Sequence, residues 1–294
     1  MTESRAELSP TVGRRRPLTV GPFFLAAPAL AVIIVLVAIP LVEMVEASFR
    51  QQEYGLVIPG VTLQNYREIL LSGPYLELFY KTAFTALAVT IACLCLGFPV
   101  AIHLASAPPQ RKPFLYFLIV APLLVNTVVR SYGWLLMLGN RGVLNQILGA
   151  SGFAKPIALT GNSTGVIIGA TQVFLPFMIL SLATSLDGVD RRLLEAAEIL
   201  GAGRVRRFTE IIVPLTFPGI IAGSVLVFSL MLGAIVTPLM LGGSAIRFLS
   251  VAIYTDALVL FDLPRATALS VVLLLAVVAL YALQRRYLRG YNER

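Results

Sequence analysis

The sequence holds little charge, and less of it is acidic than basic: 15 Asp and Glu stand against 23 Lys and Arg, and charged residues make up only 13% of the 294. A soluble domain carries roughly 25% charged residues, so an ordinary soluble fold is excluded. His103 is the single histidine, and with no second histidine or cysteine beside it to share an ion, no metal site is expected. Cys93 and Cys95 lie two residues apart in an apolar run, where helical geometry points them nearly opposite ways and forbids a bridge between them. A phosphate-cradling G-x-x-x-x-G-K-[ST] loop is missing, since none of the three lysines, Lys81, Lys112 and Lys155, follows a glycine; the chain should not hydrolyse ATP by itself. "GNSTG", Gly161 to Gly165, has the spacing of a hydrolase nucleophile, but that chemistry needs a strand-to-helix turn and a histidine. His103 and Ser163 fall at opposite ends of the spans derived below. Nor does the basic excess indicate nucleic acid: the arginines flank apolar runs, as they do in membrane proteins.

Apolar residues are what the chain has in excess, 57% of it, with a mean hydropathy of +0.86. A bilayer-crossing helix needs about 20 of them. Six stretches qualify: Phe23 to Val42, Thr82 to Ser106, Phe114 to Leu138, Gly165 to Leu186, Phe217 to Leu241, and Ala266 to Gln284. The first, fifth and sixth carry no formal charge. The predicted fold class is therefore an all-α integral membrane protein with six transmembrane helices: a tail over 1–22, a six-span domain over 23–284 and a second tail over 285–294. The first stretch has a basic flank but is too long for a cleaved signal, and reads as a retained span.

Fifteen of the cations (Arg5, Arg14, Arg15, Arg16, Arg111, Lys112, Arg191, Arg192, Arg204, Arg206, Arg207, Arg285, Arg286, Arg289 and Arg294) fall on one side of this arrangement, leaving eight elsewhere. The excess predicts that this side is cytoplasmic and holds both termini. The outer connections are then 43–81, 139–164 and 242–265. Phe248 to Pro264 is apolar but contains Asp256 and Asp262; it reads as a surface or re-entrant helix, because a seventh crossing would put the basic C-terminus outside. Its two acids, Asp256 and Asp262, could attract a cationic solute or a binding protein, but surface acids are usually just solvated. "GVIIG" (Gly165, Gly169) and "GIIAG" (Gly219, Gly223) have the spacing of close helix contacts, expected within one subunit.

"EAAEILGAGRVRRFTEIIVP", Glu195 to Pro214, interrupts this apolar pattern on the predicted cytoplasmic side, between spans four and five. Asp187 is the predicted cap of a first helix, with Asp190 complementing its N-terminus. Gly201 and Gly203 permit a reversal. A second helix should start near Arg204, with Val205, Phe208 and Ile212 on one face and Arg204, Arg207 and Glu210 on another. The result is a short hairpin over about 187–214. Spacing alone leaves two readings open: an interfacial helix floating among headgroups, or a docking element in which Ala196 and Ala197 let a partner approach the backbone.

The stretch resembles the E-A-A-x3-G-x9-I-x-L-P signature of permease subunits of binding-protein-dependent ABC importers. Glu195, Ala196, Ala197, Gly201, Ile211 and Pro214 fall in its register, and Val213 stands where leucine is usual. "PLLVNTVVRSYGWLLMLGNRGVLN" (Pro122 to Asn145), "LPFMILSL" and "TPLMLGG" further resemble the first permease subunit of spermidine/putrescine-type importers. The resemblance implies an inner-membrane permease whose hairpin is the coupling element seated on an ATPase. It also implies two copies of that ATPase, which binds the ATP and Mg, and a second homologous permease forming a heterodimer. An extracytoplasmic solute-binding protein would deliver a small solute, polyamine-like, opine or amino-acid-derived. No cofactor is expected in the chain itself.

For the translocation path, Arg130 is the charge placed deep in a span, roughly 12 Å from its end at Leu138, with Asn126 four residues earlier and Tyr132 and Trp134 nearby. Two readings remain: a polar patch lining the path, or an arginine reaching outward above an aromatic belt. Span five is interrupted by Gly233, Pro238 and the Gly242–Gly243 pair, with Thr237 offering a hydroxyl, and broken spans are tolerated where they line a cavity. A self-sufficient secondary transporter is the competing function; it usually shows intramembrane carboxylates and an inverted repeat, and neither is evident.

Overall fold

The computed structural model describes residues 22–53, 55–58, 60–151, 157–243 and 247–292. Arg5, Arg14, Arg15, Arg16, Lys155 and Arg294, and nearly all of the predicted 1–22 tail, lie outside the described residues. Two units are distinguished, 1–43 and 44–294. The first contains most of α1 (Pro22–Ser48), a helix that carries Pro28 and Pro40 inside it and whose side chains from 31 to 43 are exposed.

The second unit opens with a small antiparallel pair, β1 (Gln51–Glu53) and β2 (Leu56–Ile58), with Gln52 opposite Val57, followed by α2 (Gln64–Leu71). Asn65 fastens this turn back by donating to the carbonyls of Ser48 and Arg50 at 3.1 and 2.8 Å. Helix α3 (Gly73–Ser106) has Pro74 in its first turn, where its missing N–H costs nothing, and stops before Pro108 and Pro109. At about 1.5 Å per residue it exceeds a ~30 Å hydrocarbon layer, so it projects beyond the bilayer.

Next come α4 (Lys112–Val120), a 3-10 turn (Ala121–Leu124), α5 (Thr127–Leu138) and α6 (Val143–Ala150). The third stretch, expected as one straight span, is broken here: its two parts meet at 87°. Pro122 tightens the turn, and Asn126 restarts the helix by accepting from Val128 N at 2.8 Å. Helix α7 (Ser163–Asp187) begins where Asn162 accepts from Gly165 N at 3.1 Å, so the serine and asparagine of "GNSTG" build a helix start.

Beyond α7 lie α8 (Arg191–Ile199), α9 (Arg204–Arg207), a π-helical turn (Phe208–Ile212), α10 (Val213–Leu215) and α11 (Phe217–Leu232). They are followed by α12 (Val236–Leu241), α13 (Leu249–Leu258) and α14 (Leu263–Asn292). The fifth stretch divides at Gly233 to Ile235 into α11 and α12, with Pro238 in the first turn of α12. Among the described residues, four helices are long and apolar enough to cross a membrane, or up to six if each bent pair counts as one span. Helix α13, at 10 residues, is too short to cross one.

The core lies between α3, α7 and α11, with Val89, Cys93, Val166, Met178, Leu182, Val227 and Met231 all buried. Small residues set the spacing. A β-carbon on Gly219 would stand 2.4 Å from Ser185 Cβ, and one on Gly223 2.8 Å from Met178 Sδ, so α7 and α11 approach within one subunit through the "GIIAG" pair. Ser181 adds a hydrogen bond across that contact, donating to Gly219 O at 3.1 Å.

Connections gather at the two ends of the bundle. At one end Lys112 Nζ meets Asp187 Oδ1 at 2.8 Å and Phe98 meets Phe208 edge-to-face at 5.2 Å. At the other, Gly161 N donates to Leu241 O at 2.8 Å and Leu249 N donates to Thr82 Oγ1 at 3.0 Å. Ser250 Oγ donates to Ala234 O, satisfying a carbonyl exposed by the break after α11.

Candidate functional site

The hairpin is built from its caps. Asp190 caps α8 by accepting from Arg192 N at 2.9 Å, in place of the predicted Asp187. Asp187 is instead the last residue of α7, and its carboxylate is engaged with Lys112; α7 runs one residue further than its apolar stretch, which moves the cap along the chain. At the far end of α8, Gly201 takes φ +81. Its N–H donates to Glu198 O at 2.9 Å and Ala202 N donates to Ala197 O at 2.9 Å. This pair of bonds is a Schellman closure, which needs a left-handed residue at the Gly201 position. Gly203, expected to share in the reversal, has φ −64 and starts α9, a conformation open to any residue.

The second arm is helical from Arg204 to Leu215 with a π turn in its middle, and meets α11 at 69°. Val213 N reaches Phe208 O, five residues back, and this wider turn immediately precedes Pro214, whose ring would crowd a regular helix. The two arms are joined by Arg207 Nη1 and Glu198 Oε2 at 2.7 Å, while Arg206 and Glu210 pair along the second arm at 2.9 Å. At the base, Leu194 and Ile212 face a cleft of about 280 Å³ that they share with Lys112 and Asp187.

Of the signature residues, Glu195, Ala196, Gly201 and Pro214 are exposed and Ala197 and Ile211 half-buried. Among the described residues Glu195 makes no hydrogen bond or ion pair, in contrast to Glu198. Around it Ile199 and Leu200 are each 86% exposed and Val205 77%. The arrangement is an exposed helix with small residues on its surface, one unengaged carboxylate and an apolar tip, held rigidly by two caps.

The second set of residues is only partly brought together. Asn126 caps α5, one helical turn before Arg130, whose N–H donates to Asn126 O at 3.1 Å. The Arg130 guanidinium donates to Pro122 O at 2.9 Å and approaches Thr127 Oγ1 at 3.5 Å; its Nε is buried and unpartnered among the described residues. It therefore sits in the first turn of a new helix and pins a break, whereas the sequence placed it midway along a straight one. Tyr132 is exposed. Trp134 Nε1 donates to Gln172 Oε1 at 3.4 Å, joining α5 to α7. Thr237 and Pro238 are buried; the Thr237 hydroxyl lies 3.4 Å from Ser131 Oγ, and a β-carbon on Gly169 would meet Leu241 and Thr237 at 2.5 and 3.3 Å. The break in span five is thus packed against α5 and α7 in this chain.

Sequence reasoning passed over Lys112–Asp187 and Phe98–Phe208, which join residues 75 and 110 positions apart, with no local pattern to mark them. It also misplaced Asp256: expected in solvent, that residue is buried, because α13 packs against α14 and the start of α3. Among the described residues no group of three His, Cys, Asp or Glu is disposed to hold a metal. His103, in the last turn of α3, and Ser163, at the first residue of α7, sit at opposite ends of two side-by-side helices.

Residues 18–292 match the binding-protein-dependent transport system inner membrane component family. The chain belongs to that family. It is 34% identical over 264 residues to the spermidine/putrescine transport system permease protein PotB of Escherichia coli strain K12, covering 89% of this chain and 96% of that one. The PotB protein of Haemophilus influenzae is 36% identical over 212 residues, 72% of this chain and 74% of its own. The sn-glycerol-3-phosphate transport system permease protein UgpA of Brucella suis biovar 1 is 30% identical over 284 residues, 92% and 95% of the two chains. A crystal structure of a bacterial ABC transporter involved in import of the acidic polysaccharide alginate superimposes with a TM-score of 0.67 at 18% identity, covering 90% of this chain and 94% of that one. That likeness establishes the fold. The chain is accordingly a permease subunit of an ABC importer, a multi-pass inner-membrane protein and not an enzyme; ATP hydrolysis lies with a partner ATPase. The competing secondary-transporter reading falls with the family assignment.

Proposed function

We propose that this permease imports a polyamine-like solute and that the α8–α9 hairpin couples its motion to the ATPase. The relatives named for spermidine and putrescine support the solute class. The observation that carries the coupling role is the exposed, doubly capped helix bearing an unengaged Glu195 beside Ala196 and Ala197. Small residues let a partner groove close on the backbone, and the carboxylate supplies one directional contact. Glu195, Ala196, Ala197 and Gly201 form the seat in this reading, while Ile211 and Pro214 shape the second arm.

The broken third stretch, α4 with α5, and the broken fifth, α11 with α12, each count as one span, giving six, with the hairpin and both termini cytoplasmic. The chain pairs with a second homologous permease as a heterodimer, beneath which two ATPase copies each receive one hairpin. An extracytoplasmic binding protein delivers the solute from the other side. A solved neighbour of the same fold is an alginate transporter held in complex with a solute-bound periplasmic protein, which supports that kind of assembly. Closure of the ATPases would draw the hairpins together and turn the cavity outward. The path runs along the α5 and α12 breaks, with Asn126, Arg130 and Tyr132 nearest the solute and Trp134, Thr237 and Pro238 holding the break behind them.

The test is a cysteine at Ala196 in the assembled importer. Crosslinking to the ATPase, and labelling only from the cytoplasmic face, is the expected result; labelling from the outer face would overturn the reading. Putrescine uptake into proteoliposomes that requires both ATP and the binding protein is the accompanying expectation for the solute.

A further inference from the structure

At the end of the bundle where α3 begins and α12 finishes, a cavity of about 700 Å³ opens between these helices and α13. It is far from the hairpin: Lys81 on its wall and Phe98, which touches the hairpin, lie 17 residues apart on α3, about 25 Å at the helical rise. Its walls mix polar side chains with aliphatic ones, Leu78, Leu239, Val251 and Leu260 among the latter. Its polar groups are mostly spent on one another. Lys81 Nζ holds Glu77 Oε1 at 2.7 Å, and Arg265 behind the wall is held by Asp262, Nε to Oδ2 at 2.8 Å. Asp256 and, at the rim, Arg247 are the exceptions among the described residues. Asp256 lines the cavity and is only 8% exposed, yet among the described residues its carboxylate makes no hydrogen bond or ion pair. Arg247, exposed at the rim, and Arg265 act on it without contact.

The Asp256 carboxylate opens onto the cavity; a mostly desolvated carboxylate with no protein partner carries a cost, and such groups persist where a ligand completes them. Burial pushes the Asp256 carboxyl above the ordinary carboxylate range, Arg265 drawing it back in part; a bound cation would relieve the same cost.

We propose that Asp256 anchors the ammonium group of a small aliphatic amine in this cavity, as a solute subsite at the end remote from the coupling hairpin. The carboxylate takes the ammonium and the aliphatic side chains of the wall take the methylene chain. A diamine and an amino-acid zwitterion share this chemistry, and they differ at the other end, where the zwitterion would offer Arg247 a carboxylate. This inference rests on the importer reading and names a site within it.

The experiment uses the full importer complex in proteoliposomes, with Leu260→Cys in a Cys93→Ser, Cys95→Ser background. Leu260 lines the cavity and is exposed, so its modification by N-ethylmaleimide reports occupancy. Putrescine is expected to slow the labelling at least fivefold, 1,4-butanediol not at all; Asp256→Asn should abolish the protection and Asp256→Glu should keep part of it. Stronger protection by γ-aminobutyrate than by putrescine would uphold the anchor and assign the zwitterion as its source. Equal protection by butanediol, no protection of the unmutated Asp256 by either amine, or full protection in Asp256→Asn overturns the proposal. ATP-dependent uptake in the same vesicles is scored separately: uptake that ignores ATP sinks the importer reading whatever the labelling shows.

Discussion

Replacing Gly201 isolates backbone conformation from packing. A β-carbon there would meet nothing of this chain within 4 Å, while the backbone sits at φ +81, so a loss within this chain comes from the left-handed turn, and the asparagine variant separates it from a clash with the ATPase. Placing an L-residue with a β-carbon in that region costs roughly 1–2 kcal/mol, alanine near the bottom of the range and a β-branched valine above it. If the turn opens instead, the bonds from Gly201 N and Ala202 N to Glu198 and Ala197 carbonyls are lost, about 1 kcal/mol each. Either route lowers the population of the docking-competent turn by on the order of tenfold for valine. Asparagine, which tolerates the left-handed region, should stay within about twofold of glycine. The assay is ATP-dependent uptake against ATP hydrolysis by the reconstituted complex: Gly201→Val should lose uptake while the ATPase keeps turning over, with alanine between valine and asparagine. Wild-type uptake from Gly201→Val would refute the reasoning, as would asparagine failing as badly as valine, since size and not φ would then be at work.

Gly219→Val should separate α7 from α11, because its β-carbon alone would stand 2.4 Å from Ser185 Cβ; overpacking of this kind costs roughly 1–3 kcal/mol and should appear as a lower melting temperature of the purified permease. Arg130→Leu removes the guanidinium from Pro122 O and should cut uptake at least tenfold while the complex still assembles with its ATPase; unchanged uptake would return Arg130 to a merely anchoring role. Asp187→Asn breaks a partly exposed pair with Lys112 and should cost no more than about 1 kcal/mol, a small shift in thermal melting that a Lys112→Met, Asp187→Asn cycle would apportion. Phe98→Ala removes the edge-to-face contact with Phe208, worth about 0.5–1.5 kcal/mol beyond its area, and should loosen uptake from ATP hydrolysis more than it destabilises the bundle.

The hairpin shows how far local pattern reaches. Glycine at 201, a run of helix formers before it and prolines after it were enough to place a reversal, since each acts on its own few residues of backbone. The cap fell at Asp190 and not at Asp187 because α7 runs one residue past its apolar stretch and takes Asp187 as its last residue, where its carboxylate meets Lys112 from 75 positions earlier. The same limit applies to the third stretch. Hydropathy reads Phe114 to Leu138 as a single rod, yet the 3-10 turn at Pro122 and the Asn126 cap break it at 87°, and hydropathy has no memory of direction.

Composition and charge alone decided that this is a multi-span helical protein, because burial in lipid demands long uncharged runs. The short EAA-type stretch pointed to its family, because its residues follow one another closely in the chain, on α8, the Gly201 turn and the arm after it. Only the tertiary structure decided that Thr237 is packed away, that Arg130 pins a kink, and that Asp256 is a buried carboxylate facing a cavity. The burial of Thr237 and of Asp256 depends on which helices meet, α12 with α5 and α7 and α13 with α14 and α3, and the Arg130 contact on a bend that hydropathy does not record.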